Sequence, residues 1–207
     1  MKARALLGAM GAALAALVVL GGRSASAAPP PSGGTAKKKG VLADGSLDPE
    51  FRSATVEVAT ERGIEPGMLL AVMALETGWT MDPAIRNPQS GAVGLIQFLH
   101  PAALKVAGAT KDELAAMTAV EQLNGPVRRY FAQFGSFAGR DHRDAYLAVF
   151  APAGIGRPDG FVLYAGGTKA YEQNRGLDKD GDGQITAGDV RRSIEGVRNK
   201  VLSRWGL

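Results

Sequence analysis

Residues 68–76 read MLLAVMALE, and this run decides the fold because it is apolar on every side until it reaches Glu76. A helix that is apolar all round is buried inside a domain rather than lying on its surface. Pro66 supplies a start signal just before the run, and Gly78 can end the helix just after it. We therefore predict a central core helix that carries one carboxyl group at its C-terminal end.

A carboxyl group in that position has an unusual electrostatic setting. Burial disfavours its charged form, and so does the negative end of the helix dipole. Both effects raise the pKa of Glu76, which keeps it protonated near neutral pH and able to donate a proton to a leaving oxygen. Taken alone, the residue leaves two interpretations equally open: a catalytic acid, or a helix end that faces water or Arg86.

Start and stop signals elsewhere predict further helices. Residues 48–50, Asp-Pro-Glu, can begin a helix that runs to Arg62 and stops at Gly63. Residues 110–113 form a capping box. Helical stretches also fit residues 119–134, 141–150 and 187–205. Residues 79–90 indicate a loop with at most a small hairpin. The predicted class is mainly α.

Four short motifs follow in a fixed order. ETGW at 76–79 leads to DPA at 82–84, then to GAVGLIQF at 91–98, and finally to AVFAPAGIG at 148–156. This series resembles the lytic transglycosylases of the lysozyme superfamily. It is most similar to the variants found in phage endolysins and tail-associated lysozymes, and it covers most of the predicted domain.

The resemblance implies a lysozyme-like fold and cleavage of the β-1,4 bond between MurNAc and GlcNAc in peptidoglycan, with Glu76 as the catalytic acid. Glycan strands are thus the expected partner of a monomeric enzyme. The substrate-binding residues implied are Thr77, Trp79, Gly94, Gln97, Phe150 and Tyr171. The chain departs from the family at Thr77, where serine is usual, and at residues 151–152, where Ala-Pro replaces a Tyr-Asn pair. Sugar contacts must therefore differ there. We also expect the ring of Trp79 in the cleft and that of Phe98 in the core.

The chemical outcome depends on whether a second acid is present. Hydrolysis by two carboxylates needs the second one about 5–9 Å away. Asp82 is the nearest candidate, but its position before Pro83 favours a turn-forming role. The resemblance implies instead that Glu76 alone acts as acid and then as base, which defines a lytic transglycosylase. A hydrolase with a second acid and an inactive wall-binding module stay open as alternatives.

Residues 178–189, DKDGDGQITAGD, match the spacing of an EF-hand calcium loop. A hard cation with six to eight oxygen ligands needs such clustered donors. The predicted ligands are Asp178, Asp180, Asp182, the carbonyl of Gln184, and Asp189. Aspartate at the last position, where glutamate is usual, predicts weaker binding.

A single loop argues against a calcium sensor and against a dockerin-like interaction module, which needs two copies. We expect structural calcium that ties residues 168–176 to the last helix. The resemblance further implies that Tyr171 faces the cleft, so that calcium would order the wall of the active site.

The N-terminal residues indicate export. A positive start, an apolar stretch to Leu20 and a small-residue run predict a signal peptide over residues 1–27, cleaved after Ala27, and hence a periplasmic or extracellular protein. A membrane anchor is less favoured because the apolar stretch is shorter than the roughly 20 residues needed. Residues 28–41 are rich in Pro, Gly and Lys, which predicts a flexible linker. Residues 42–207 are predicted to form the folded domain.

Composition excludes other classes of protein. The chain has no cysteine, which rules out disulfides, thiol nucleophiles and lipid attachment at the cleavage site. The net charge of +4 comes from the N-terminal residues, since 18 basic and 20 acidic side chains follow residue 39. Nucleic-acid binding is therefore not expected. His100 and His142 lack the spacing of a zinc site.

Overall fold

The computed structural model of the protein describes residues 39–207. The predicted signal peptide and most of the predicted linker lie outside the described residues. Within the described range, no helix combines the length and the apolar character needed to cross a membrane.

The described chain is mainly helical, as predicted. Its α-helices are α1 (Pro49–Arg62), α2 (Pro66–Glu76), α3 (Pro101–Ala107), α4 (Lys111–Ala116), α5 (Ala119–Gln122), α6 (Arg128–Ala132), α7 (Asp144–Phe150), α8 (Lys169–Asn174) and α9 (Ala187–Trp205). A π-helical turn, Leu123–Val127, joins α5 to α6, and 3₁₀ turns form at Pro152–Gly154 and Arg175–Leu177. Strands β1 (Val162–Ala165) and β2 (Gln184–Thr186) pair antiparallel.

The core is built around α2, which confirms the prediction from its apolar sequence. Residues 67–74 of this helix are all buried. α9 makes the most extensive contacts with α2, while α1 and α7 pack against its other sides. Since burying one large aliphatic side chain stabilises a fold by about 1.5–3 kcal/mol, this helix contributes much of the core's stability.

The helix ends confirm the predicted signals. The Asp48 carboxylate accepts hydrogen bonds from the backbone N–H groups of Glu50 and Phe51, at 2.9 and 3.0 Å. Gly63 ends α1 with a left-handed φ of 68°, which glycine adopts without steric cost. The capping box of α4 also forms as predicted, between Thr110 and Glu113.

The strand pair lies outside residues 79–90, the segment for which at most a small hairpin was predicted. Residues 79–90 form a loop, which is joined to residues 91–98 by one isolated bridge, between Arg86 and Val93, and by a few further backbone hydrogen bonds. The strand pair is instead formed by β1 and β2, and Ile185 of β2 is fully buried. Strands of three and four residues are too short to show an alternating pattern in the sequence, which is why they were not predicted.

The long helix predicted over residues 119–134 is interrupted in its middle. Pro126 lies inside the π-helical turn. Proline has no N–H to donate and its ring clashes with the preceding helical turn, so a regular α-helix is not tolerated there. The wider turn accommodates proline without ending the helical path.

The folded part begins slightly earlier than predicted. The N–H of Gly40 donates to the Met81 carbonyl at 3.0 Å, and the Lys39 ammonium lies 3.0 Å from the Asp82 carboxylate. A side chain at position 40 would also collide with the ring of Phe51. The last three residues of the predicted linker are therefore part of the domain.

Candidate active site

Glu76 combines burial with access to solvent. It is the last residue of α2 and is half-buried. Burial raises the pKa of its carboxyl from 4.5 to about 8, and no charged side chain of the described residues contributes to the shift. Within residues 39–207 no group hydrogen-bonds to the carboxyl, yet neither oxygen is sealed from solvent. The group is thus protonated at neutral pH and reachable from outside.

The charge of Glu76 affects two tyrosines, Tyr130 and Tyr146, which were not named from the sequence. Burial raises the pKa of Tyr130 to about 12, with a further contribution from the charge of Glu76. Burial likewise raises the pKa of Tyr146 well above its usual value, and the charges of Glu76 and then Tyr164 add to this effect. Tyr146 lies four residues before Phe150 on α7, a spacing that puts both rings on one helix face and could have drawn attention to it.

The segment after Glu76 holds an unusual backbone. Among the described residues, the non-glycine residues with positive φ are Trp79, Met81 and Gln97, at 69°, 47° and 52°. Such conformations cost energy and persist only where surrounding contacts enforce them. All three lie in the loop that runs from the end of α2 to the GLIQ motif. This concentration of strain next to Glu76 is typical of a functional site.

A buried amide holds this loop in place. The Gln122 side chain accepts a hydrogen bond from the N–H of Leu95 at 2.6 Å and donates to the carbonyls of Pro83 and Leu114 at 3.1 and 2.9 Å. Gly94 has a φ of +89°, and a Cβ there would overlap the Gln122 amide. Gly94 was expected to contact substrate. It is instead buried against Gln122, where it shapes the loop. Gln122 has no local sequence signature, so it was missed.

Thr77 also has a structural role in place of the expected substrate contact. Its side chain is fully buried. The hydroxyl donates to the carbonyl of Met73 at 2.7 Å and accepts from the N–H of Met81 at 3.1 Å. It closes the turn that follows α2, and so supports the position of Glu76 from behind.

Phe150 and Tyr171 are likewise placed differently from expectation. Phe150 is buried, with its ring 5.7 Å from that of Tyr146 and 5.6 Å from that of Tyr164, so it forms part of the core behind the site. The Tyr171 ring is buried too, and its hydroxyl donates to Asp178 at 2.7 Å. That hydroxyl is therefore held by the first residue of the predicted metal loop.

Gln97 and Trp79 keep accessible surface. Both are half-buried. The Gln97 amide donates to the carbonyl of Gly94 at 3.0 Å. The Trp79 ring packs 5.7 Å from Trp205 of α9, so one side of the indole is held by protein. Phe98 is buried in the core, which confirms that prediction.

Asp82 and Arg86 do not act on Glu76. One Asp82 oxygen accepts from the N–H of Ala84 at 2.9 Å, which is the turn-forming role predicted, and the other pairs with Lys39. Arg86 pairs with Asp112 at 2.6 Å. The interpretation in which Glu76 faces Arg86 is therefore wrong.

The predicted metal loop gathers some of its expected ligands. Carboxylate oxygens of Asp178, Asp180 and Asp182 lie within 4.8 Å of one another. Asp189 is engaged elsewhere, because it closes the capping box of α9 with Thr186 and its second oxygen pairs with Arg192 at 2.5 Å. Gln184 lies in β2, and its N–H donates to Asp182 at 2.8 Å.

A buried ion pair joins α7 to α9 and was not predicted. Asp144 and Arg191 are both buried. The guanidinium donates to one Asp144 oxygen at 3.0 and 2.7 Å, and the other oxygen accepts from the N–H of Gly156 at 2.7 Å. Arg191 also binds Asp159 at 2.7 Å. These contacts fix the start of α7, the helix that carries Tyr146.

Comparisons of the chain with family models, curated proteins and solved structures find no match.

Proposed function

We propose that the protein cleaves the β-1,4 bond between MurNAc and GlcNAc in peptidoglycan, as a lytic transglycosylase in which Glu76 is the acid and base. The main support for this proposal is the Glu76 carboxyl. Its burial raises its pKa to about 8, while solvent still reaches it. A general acid needs both properties, since it must hold a proton near neutral pH and touch its substrate. The strained loop beside it and the motif series at 76–98 support the same site.

In this reaction Glu76 first donates its proton to the glycosidic oxygen, and the bond from that oxygen to C1 of MurNAc breaks. The C6 hydroxyl oxygen then forms a bond to C1, and its proton passes to the Glu76 carboxylate. The products are a free GlcNAc hydroxyl and a 1,6-anhydro sugar. No water is consumed and Glu76 returns to its starting state.

Among the described residues no second acid acts on the pKa of Glu76, which favours this outcome over hydrolysis. Within residues 39–207 no carboxylate contributes to the pKa of Glu76, although two catalytic carboxylates in a glycosidase stand about 5–9 Å apart. Asp82, the nearest in sequence, has both oxygens engaged. A one-glutamate mechanism requires only the groups that are present.

Mass spectrometry of digested peptidoglycan tests the outcome. We expect muropeptides with 1,6-anhydro ends, which are lighter by one water than the corresponding hydrolysis products. Reducing ends throughout the digest would indicate a hydrolase instead. A protein that binds the glycan but releases no fragments would indicate a wall-binding module.

We further propose that calcium binds residues 178–189 as a structural ion. Three aspartate carboxylates close together form the hard oxygen donor set that calcium prefers, and they repel one another without a cation. Asp178, Asp180 and Asp182 would hold the ion together with the Gln184 carbonyl. Asp189 would contribute only if it left the helix cap, so we expect water to complete the shell and affinity to be modest.

Calcium is expected to raise the melting temperature, because an ion that binds only the folded state stabilises it by about 2.7 kcal/mol at a hundred times its Kd. Asp182→Asn should remove most of the calcium-induced shift. Asp189→Asn should retain it, since Asp189 is engaged with Thr186 and Arg192, and asparagine can still accept a hydrogen bond from the N–H of Thr186. Equal melting temperatures of the wild type in excess calcium and in EDTA would contradict the proposal.

A further inference from the structure

The hydroxyl of Tyr146 is a polar group for which the mechanism above has no use. Tyr146 lies on α7, which packs against α2, and the residue is 5 % exposed. No group among residues 39–207 hydrogen-bonds to this hydroxyl, and it is not sealed from solvent. A polar atom in such surroundings usually has a partner, because an unpaired one costs free energy. Solvent or a bound molecule must therefore supply the partner.

The other tyrosine hydroxyls nearby are already engaged. Tyr130, which also lies within reach of the Glu76 charge, donates its hydroxyl hydrogen to the Ala148 carbonyl at 2.9 Å. Tyr171 donates to Asp178 at 2.7 Å. Of the two tyrosines that respond to the charge of Glu76, only Tyr146 has its hydroxyl donor free.

Tyr146 and Glu76 lie on α7 and α2, two helices that pack against each other. The charge of Glu76 acts on the phenol, yet no hydrogen bond joins the two side chains. Two polar groups that are separated in this way, and that both lack a protein partner, can share one oxygen atom placed between them. The phenol is neutral at working pH because burial raises its pKa, so it serves as a hydrogen-bond donor.

We propose that the Tyr146 hydroxyl positions the oxygen that exchanges a proton with Glu76: a water in the free protein and a sugar oxygen in the complex. This inference rests on the glycan cleavage proposed above. The donor holds the sugar oxygen in line with the Glu76 carboxyl, so that the proton moves over a short, fixed distance. Tyr146 is thus a substrate-positioning residue that the motif series does not include.

Few other ionisable groups face this pair. Tyr130 on α6 and Tyr164 on β1 contribute neutral phenols. Asp144, two residues before Tyr146 on α7, is neutralised by Arg191 of α9. A change in the pKa of Glu76 after substitution of Tyr146 therefore reports on the phenol itself.

Tyr146→Phe tests the proposal, with Tyr164→Phe as the matched control. Tyr164 is also partly buried beside Phe150, but no charge of Glu76 acts on it. The pKa of Glu76 is measured by carboxyl ¹³C NMR in protein without substrate. We expect Tyr146→Phe to raise it by about one pH unit, because the shared oxygen loses a donor that favours the charged carboxylate. Tyr164→Phe should leave it unchanged.

On soluble glycan strands, Tyr146→Phe is expected to lower kcat about tenfold or more and to move the alkaline limb of the pH profile upward with the pKa. A Glu76 pKa that does not move in Tyr146→Phe overturns the inference, and so does an equal shift in both variants. A wild-type protein that cleaves no glycan would refute the proposed function, while the NMR titration would still decide whether Tyr146 and Glu76 share an oxygen.

Discussion

Replacing Glu76 with glutamine is expected to abolish glycan cleavage and, at the same time, to make the protein more stable above neutral pH. Glutamine has the size of glutamate but no acidic proton to donate. Because general acid–base catalysis by the carboxyl is the centre of the proposed mechanism, the rate of fragment release should fall at least about 1000-fold. Release of soluble muropeptides from purified peptidoglycan measures this loss.

The gain in stability follows from the raised pKa. Below pH 4.5 the carboxyl is protonated in the folded and the unfolded chain, so wild type and variant should be about equally stable. Between pH 4.5 and about 8 the unfolded chain releases the proton while the folded protein retains it. The wild type then loses about 1.4 kcal/mol of unfolding free energy per pH unit, up to about 5 kcal/mol in total, and the variant does not.

Two control variants separate these effects from general damage. Asp82→Asn should retain activity, because its carboxylate forms a turn and a surface ion pair and does not face Glu76. Glu50→Gln, at an exposed position in the first turn of α1, should show no comparable gain in stability with pH. Urea unfolding at pH 4 and pH 8 provides the comparison. A stability difference between wild type and Glu76→Gln that is the same at both pH values would show that the carboxyl is not buried.

Arg191→Met is expected to destabilise the fold strongly. It leaves the Asp144 carboxylate buried, with the N–H of Gly156 as its remaining partner. Breaking a buried ion pair by removing one member costs about 3–5 kcal/mol, because a charge stays behind without compensation. Urea unfolding at neutral pH measures the loss.

The double variant Asp144→Asn/Arg191→Met should recover part of this stability, since asparagine removes the charge and still accepts from Gly156. Asp159→Asn should cost less than about 1 kcal/mol, as its side chain is 60 % exposed. If Arg191→Met were no more harmful than Asp159→Asn, the pair would contribute nothing beyond a surface contact.

Most helices could be predicted because their signals are local. Asp48 and Gly63 lie next to the ends that they define, and the apolar run of α2 needs no partner to be recognised as buried. The same holds for the raised pKa of Glu76, which follows from its place at the end of such a helix. These features depend on neighbours within a few residues.

The side-chain roles around the site could not be predicted in the same way. The direction of a hydroxyl depends on a partner that the fold brings from far along the chain. Arg191 and Asp144 are 47 residues apart in the sequence, and Gln122 and Leu95 are 27 residues apart. Tyr171 was expected in the cleft because the segment before the calcium loop resembles phage lysozyme-like domains, but the nearby carboxylate of Asp178 offers its hydroxyl a stronger acceptor.

The packing of α2 against α9 has a consequence for the order of folding. The helix at the centre of the core is synthesised early, whereas the helix that makes its most extensive contacts is the last of the described elements. More than a hundred residues must emerge from the ribosome between them. During that time the nascent chain carries an apolar helix without its main partner, a state prone to aggregation and recognised by chaperones. Contacts between such distant segments also make folding slow, and the core around α2 cannot be completed before α9 has been synthesised.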